Sequence, residues 1–251
     1  MKFTDRQIER YSRQIVLKKV GIIGQKKLLK SRVLIVGTGG LGSPIALYLA
    51  ASGIGEIGVI DSDKVEISNI QRQILFNTKD IKKNKSLIAA KKLKQINPNI
   101  KVFFYKNRLK KENINKIAKN FDVIADGSDN FKTRFLINDY CVKNKKILVV
   151  GAISKFDGQI YTFNFSNKKS PCLRCFMPQM PNNTLNNCEY DGVLGPLAGI
   201  VGSVQANEII KEILKIGDSL CGYILIINSL NLTFRKVKLK KRLKCYCNAK
   251  N

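Results

Sequence analysis

Short apolar runs alternate with longer amphipathic stretches through the first 150 or so positions, and this alternation sets the fold class before any motif is read. The runs Arg32–Gly37, Glu56–Asp61, Ile100–Lys106, Phe121–Asp126 and Lys146–Gly151 are rich in β-branched and other apolar residues. Near-continuous runs of this kind are the mark of strands buried on both faces. Between them the apolar positions recur with helical spacing, which predicts helices beginning near Leu41, Lys85, Lys111 and Asn130. Strand–helix alternation predicts a mostly parallel sheet with helices on both faces. Ahead of it, Thr4-Asp5-Arg6-Gln7 fits a capping box and predicts an N-terminal helix that carries Arg13.

The pattern changes after Gly151. Phe156–Phe165 is aromatic and β-branched, and a Cys/Pro/Asn loop follows from Pro171 to Glu189. A long helix near Pro196–Ile216 and a hairpin, GYILIINSL–NLTFRKVKL, complete the predicted elements. The chain has no internal repeat and no linker that separates independent parts.

Composition narrows the chemistry. Histidine is absent, which excludes a histidine base, a histidine metal ligand and every Ser–His or Cys–His pair. Catalysis must rest on Arg, Lys, Asp and Cys. Lys+Arg 45 against Asp+Glu 18 gives a net charge of +27, yet the lysines are spread along the chain. The densest run is RKVKLKKRLK, Arg235–Lys244. A solvated basic surface, with an acidic protein as the partner it suits, explains this better than nucleic acid, because aromatics are 8% and Trp is absent. No apolar run has the length to span a bilayer; Gly195–Val204 is broken by Pro196 and glycines. The charged start, MKFTDRQIERYSRQIVL, lacks the apolar core of a secretory signal, so the expected location is the cytoplasm and no membrane partner is expected.

The stretch VLIVGTGGLGSP runs a strand into Gly37-Thr38-Gly39-Gly40-Leu41-Gly42 and then into a helix. In a G-x-G-x-x-G turn the first glycine bends the chain, the second lets backbone approach phosphate and the third packs the helix closely. Asp61, at the end of the next strand, is placed for a ribose. To this point a nicotinamide-dependent oxidoreductase reads equally well. Arg72, in SNIQRQILF, and Lys85, opening the following helix, change the balance. With Arg13 they supply three cations, more than a dinucleotide pyrophosphate employs and suited to a triphosphate and departing pyrophosphate. Asp129, in DGSDNFKTR, stands at a strand tip where a carboxylate can hold magnesium. ATP is the better ligand. A basic nucleic-acid-binding protein is the weaker, non-enzymatic alternative.

RYSRQIVL, VLIVGTGGLGSPIALYLAASGIGEIGVID, SNIQRQILF, DGSDNFKTR and the paired cysteines together resemble the bacterial sulfur-carrier adenylyltransferases. These are the molybdopterin-synthase and thiamine-biosynthesis activators related to ubiquitin-activating enzymes. The resemblance runs from about Arg10 to Cys247. It implies a Rossmann-like, mostly parallel α/β fold extended by a C-terminal hairpin and a zinc knuckle. It also implies a homodimer that uses ATP and magnesium to adenylate the Gly-Gly terminus of a ubiquitin-like sulfur carrier, releasing pyrophosphate. A single domain over 1–251 follows, with the nucleotide part at about 30–151 and the carrier-binding, cysteine-rich part at about 152–251.

Carried over by motif, Gly39 and Gly40 match the phosphate loop and Asp61 the ribose ligand. Asn69, Arg72 and Lys85 match phosphate-binding positions, Asp129 the magnesium-associated aspartate and Asn130 its neighbour. Arg13 matches an arginine that reaches the other subunit's ATP. Cys188 matches a cysteine implicated in a covalent link to the carrier. RYSRQ and QRQILF lean towards the thiamine branch, and with no rhodanese-like stretch after Cys247 a separate sulfur donor is expected.

Of the seven cysteines, Cys172 and Cys175 form the knuckle CLRC. With no histidine, a tetrahedral site must be all thiolate. The family completes such a site with C-x-x-C, whereas here Cys245-Tyr246-Cys247 is one residue shorter, a spacing that still allows convergence in a turn. Cys141, on a predicted helix, is expected in the core.

Overall fold

The computed structural model describes residues 3–181 and 192–248. The N-terminal helix α1 (Asp5–Ile15) starts at its capping box: Thr4 Oγ1 accepts from the Gln7 amide at 3.2 Å, and Gln7 Oε1 accepts from the Thr4 amide at 3.1 Å. A second helix, α2 (Gly21–Lys30), follows; it contains two glycines and has no side-chain cap, so little in its sequence announces it.

The predicted alternation then appears in order: β1 (Arg32–Val36), α3 (Gly42–Ser52), β2 (Glu56–Ile60), α4 (Lys85–Ile96), β3 (Lys101–Tyr105), α5 (Ile114–Ala118), β4 (Val123–Asp126), α6 (Phe131–Lys143) and β5 (Ile147–Ser154). The remaining elements are β6 (Asp157–Asn164), the short α7 (Leu173–Phe176), the long α8 (Gly195–Leu214), and the hairpin β7 (Tyr223–Asn228) and β8 (Thr233–Lys238).

One sheet joins all eight strands in the order β3-β2-β1-β4-β5-β6-β7-β8. Pairings from β3 to β5 are parallel, and those from β5 to β8 antiparallel. Successive strand residues face opposite sides. Val33, Ile35, Val59, Ala125 and Val149 therefore join one core with Ile45 and Leu49 of α3 and Leu197 and Val201 of α8. Leu34, Val36, Ile124, Leu148 and Val150 join a second core with Ile117 of α5 and Phe135 and Ile137 of α6. Cys141 lies in this second core, fully buried, as its helical position suggested. Among the described residues, no helix is long and apolar enough to cross a membrane.

Chain direction reverses its march across the sheet between β1 and β4. In such sheets the crevice beyond the C-terminal strand ends, at this switch point, is where ligands bind. The opposite end of the sheet is where α1 packs. Arg10 donates to the Ile96 carbonyl at 2.7 Å, Asn97 donates to the Tyr11 hydroxyl at 2.9 Å, and Gln14 donates to the Ser52 carbonyl at 3.2 Å. These partners are the C-terminal ends of α3 and α4, so α1 sits a helix length from the crevice.

Candidate functional site

At the switch point the loop after β1 turns with Gly37 at φ +84°, a conformation that strains any residue with a Cβ. A Cβ on Gly42 would lie 1.9 Å from the Gly37 carbonyl oxygen, so α3 can start there only with glycine. The third glycine thus seats the helix on the loop's own turn. Gly39 differs. A Cβ there would meet nothing closer than Gln73 Nε2 at 3.6 Å, an ordinary contact. The chain's own packing does not require glycine at 39, which leaves bare backbone open to an approaching ligand such as phosphate.

Asp61, at the end of β2, grips this loop. Its Oδ2 accepts from the Thr38 amide at 2.8 Å and hydroxyl at 2.9 Å, and Oδ1 accepts from the Asp63 amide at 2.9 Å. A carboxylate offers roughly four acceptor positions, so capacity remains for a ribose hydroxyl. The chain of contacts continues to Lys85: its amide donates to the Asp63 carbonyl at 2.9 Å and its buried Nζ lies 3.7 Å from Asp63 Oδ2. Arg72 approaches from the other side. Its stem would lie 3.7 Å from a Cβ on Gly40, and its guanidinium donates to the Ser68 carbonyl at 3.0 Å. Asn69 is buried, and its Oδ1 faces the Glu66 amide at 3.4 Å, closing the turn that presents Arg72.

The segment after β4 completes the crevice. Asn130 caps α6, its Oδ1 accepting from the Thr133 amide at 2.9 Å, while its Nδ2 donates to Asp129 Oδ1 at 3.2 Å. Asp129 is exposed beside it. Beneath lies a device that the sequence reading passed over. Asp126, wholly buried, accepts at Oδ1 from the Ser128 amide (2.9 Å) and hydroxyl (2.6 Å) and pairs at Oδ2 with Arg134 Nε at 3.3 Å. Arg134 also donates to the carbonyls of Ser128 and Gly151. Burial pushes the Asp126 carboxyl above its usual range, with the Arg134 charge and the Ser128 donors pulling against it. Removing one member of a buried pair costs about 3–5 kcal/mol, so this pair holds the Asp129 loop firmly. The eight-residue spacing from strand end to helix face was the signal available in DGSDNFKTR.

Arg13 is not brought to this crevice within the chain. It is exposed on the last turn of α1, at the opposite end of the sheet. Cys188 lies outside the described residues.

A second cluster gathers Cys172, Cys175, Cys245 and Cys247, with all four Sγ atoms within 4.8 Å of one another. Cys245 Sγ is 3.6 Å from Cys172 Sγ and 3.5 Å from Cys175 Sγ, and Cys175 to Cys247 is 3.6 Å. Tetrahedral ligands at a zinc–sulfur distance of about 2.3 Å would be about 3.8 Å apart, so the donor set fits that ion. The 3-10 turn Tyr246–Asn248 is what lets the shortened pair converge. Burial drives the Cys172 thiol far up and the Cys247 thiol to about 12. Arg174 braces the cluster: it makes a two-pronged pair with Asp139 at 2.8 and 2.7 Å and lies over the rings of Phe135 and Tyr246.

Comparison with known proteins follows the same lines. A family profile described as "ThiF family" matches residues 11–249. The sulfur carrier protein adenylyltransferase of Thermus thermophilus is 41% identical over 249 residues, covering 98% of this chain and 92% of that protein. A probable molybdopterin-synthase adenylyltransferase of Porphyra purpurea is 44% identical over 92% of this chain and 60% of its own length. Adenylyltransferase and sulfurtransferase MOCS3 of Dictyostelium discoideum is 42% identical over 93% and 55%. The chain thus spans little more than half of the last two. Among solved structures, E. coli MccB with ATP superposes with a TM-score of 0.83 over 95% of this chain and 73% of that one, at 24% identity, a likeness of fold.

Proposed function

The chain belongs to the ThiF family and is an adenylyltransferase, and from that premise we propose that it uses ATP to adenylate the C-terminal Gly-Gly carboxylate of a small ubiquitin-like sulfur-carrier protein. Pyrophosphate leaves and a carrier acyl-adenylate remains, for later sulfur transfer in thiamine or molybdopterin cofactor synthesis. What supports the reading is the gathering, beyond the C-terminal strand ends, of the open Gly39 backbone, Asp61, Arg72, Lys85 and Asp129.

The chemistry asks little of acid–base groups. A carboxylate is already the nucleophile at pH 7, so a chain without histidine is not handicapped. The demands are to hold two anions together and to stabilise charge that builds at phosphorus. Arg72 and Lys85 answer the second demand, Asp61 holds the ribose, and Asp129 would hold the magnesium that screens the phosphates. The cysteine quartet would hold one structural zinc. The sulfurtransferase part of the MOCS3 name is said of that protein and is not carried to this chain.

The test is ATP–pyrophosphate exchange with purified protein, run against the thiamine and the molybdopterin carriers with AMP formation scored. Exchange that depends on a Gly-Gly terminus supports the reading and identifies the branch; exchange with neither carrier refutes it.

Arg13 carries a further expectation. Its place at the far end of the sheet suits a homodimer in which it reaches the partner's crevice. Arg13→Ala and Asp129→Ala homodimers should then both be weak. After subunit exchange both lesions fall in one site of the heterodimer, leaving the other intact. At equal mixing and random pairing, activity should return to about a quarter of wild type. No recovery after demonstrated exchange would remove Arg13 from the neighbouring site.

A further inference from the structure

We propose that Gln205, on α8, is a positioning residue for adenylation: its side-chain amide fixes the peptide that seats the Asp129 segment against the glycine turn, and so sets the width of the crevice offered to ATP. The proposal rests on the ATP reading above. Gln205 is fully buried, and its Nε2 donates to the Asp126 carbonyl at 3.0 Å and the Val149 carbonyl at 3.4 Å. Asp126 is the last residue of β4. The peptide that follows is held at its other polar atom too, since the Gly127 amide donates to the Val36 carbonyl at 2.9 Å. Gly127 in turn abuts the glycine turn. A Cβ on Gly37 would lie 2.9 Å from the Gly127 carbonyl oxygen, and a Cβ on Gly127 would lie 3.0 Å from the Gly42 nitrogen. One pinned peptide thus joins the two walls of the crevice, the glycine turn on one side and the exposed Asp129 on the other.

The fold accepts two costs to keep this amide in place. Gln205 Oε1 is buried with no hydrogen-bond partner among the described residues, and an unpaired buried acceptor is destabilising. Reversing the amide brings no relief, because its oxygen would then face two carbonyl oxygens. The second cost is Gly151, inside β5, where glycine weakens a strand. Its backbone does not ask for glycine, since its φ is not positive. A Cβ there would lie 2.2, 2.5 and 3.0 Å from Oε1, Cδ and Nε2 of Gln205, its three nearest neighbours. Room for the amide is what that glycine provides. An apolar side chain on α8 would fill the same space without either cost, so the reason for glutamine lies in what its donor holds. Arg134 grips the same turn from the opposite face of the sheet, donating to the Ser128 and Gly151 carbonyls. Between them the two side chains clamp the crevice ends of β4 and β5.

Full-length variants test this through KM for ATP and through the rise in Tm that ATP produces. Gln205→Ala should raise KM for ATP by about ten- to a hundredfold and shrink the ATP-dependent rise in Tm. A purely structural role would lower the Tm of the free protein and the amount of active enzyme, leaving KM for ATP at the wild-type value. Gly151→Ala keeps Gln205 but pushes its amide off the Asp126 carbonyl, so KM should rise in the same direction. The two effects should not multiply: adding Gly151→Ala to the Gln205→Ala protein should change KM for ATP by less than about twofold. Wild-type KM in either single variant overturns the proposal. So does a double variant whose KM is the product of the two single effects. If Gln205→Ala does not fold, Gly151→Ala decides alone, because the nearest contacts of its new methyl are all at the far end of one side chain. Wild-type protein without carrier-dependent exchange would instead defeat the adenylation reading itself, so the two failures are distinct.

Discussion

Carrier-dependent exchange is expected to fall by about two to three orders of magnitude on replacing Arg72 with alanine, and by as much on replacing Lys85, with the fold intact in both. Lys85 is the sharper case. Its ammonium is buried at the crevice floor with Asp63 at 3.7 Å, where low local dielectric strengthens its pull on a phosphate. The start of α4 does not depend on that side chain. Asn84 caps the helix by accepting from the Leu87 amide at 3.1 Å, and the Lys85 amide bonds the Asp63 carbonyl in any variant. Arg72 stands on a turn closed by Asn69, so its truncation removes charge and leaves the backbone in place. Melting curves within a few degrees of wild type, together with the kinetic loss, are the expected pair of results. Wild-type exchange in either variant would remove that residue from the phosphorus chemistry.

The second large effect concerns the cysteine quartet. Protein prepared without chelator should carry close to one zinc per chain, and Cys172→Ser should lose it. The metal would tie the 172–176 segment to the C-terminal turn, which is far away in sequence; β8 and the stretch after it are otherwise mostly exposed. Structural zinc contributes directly to folding. Taking roughly 2–4 °C per kcal/mol for a chain of this size, a loss of several kcal/mol should lower Tm by on the order of 10 °C. Exchange activity should survive below that new Tm, because the cluster's segment is held by Asn138 and Asp139 on α6 and not by the glycine turn. Metal analysis finding no zinc in wild-type protein would mean that the shortened Cys245-Tyr246-Cys247 pair holds thiols only.

Much of this architecture was legible beforehand. β1, β2, β4 and β5 were visible as apolar runs because strands covered on both faces have no polar side to show, whereas β3, at the sheet edge and largely exposed, was legible from its aromatic and β-branched residues. The glycine turn was legible because Gly37 and Gly42 answer local backbone demands, a positive φ and a contact that leaves no room for a Cβ. The first helix announced itself through a capping box that spans four consecutive residues. By contrast, α2 has neither cap nor clean periodicity, and its helical state comes from packing Leu28 and Gln25 under neighbouring elements.

What the amino-acid sequence determined by itself, then, was whatever depends on residues close along the chain: the alternation of strands and helices, the glycine turn, the acids at the ends of β2 and β4 and the types of cation available. Only the tertiary structure decided the rest. It set Arg134 against buried Asp126, drew four distant thiols within 4.8 Å, and put Arg13 at the end of the sheet away from its own chain's crevice. The physical reason is that local propensities act through backbone geometry over a few residues, whereas ion pairs, orphaned groups and metal clusters depend on which faces meet when the sheet closes its two cores.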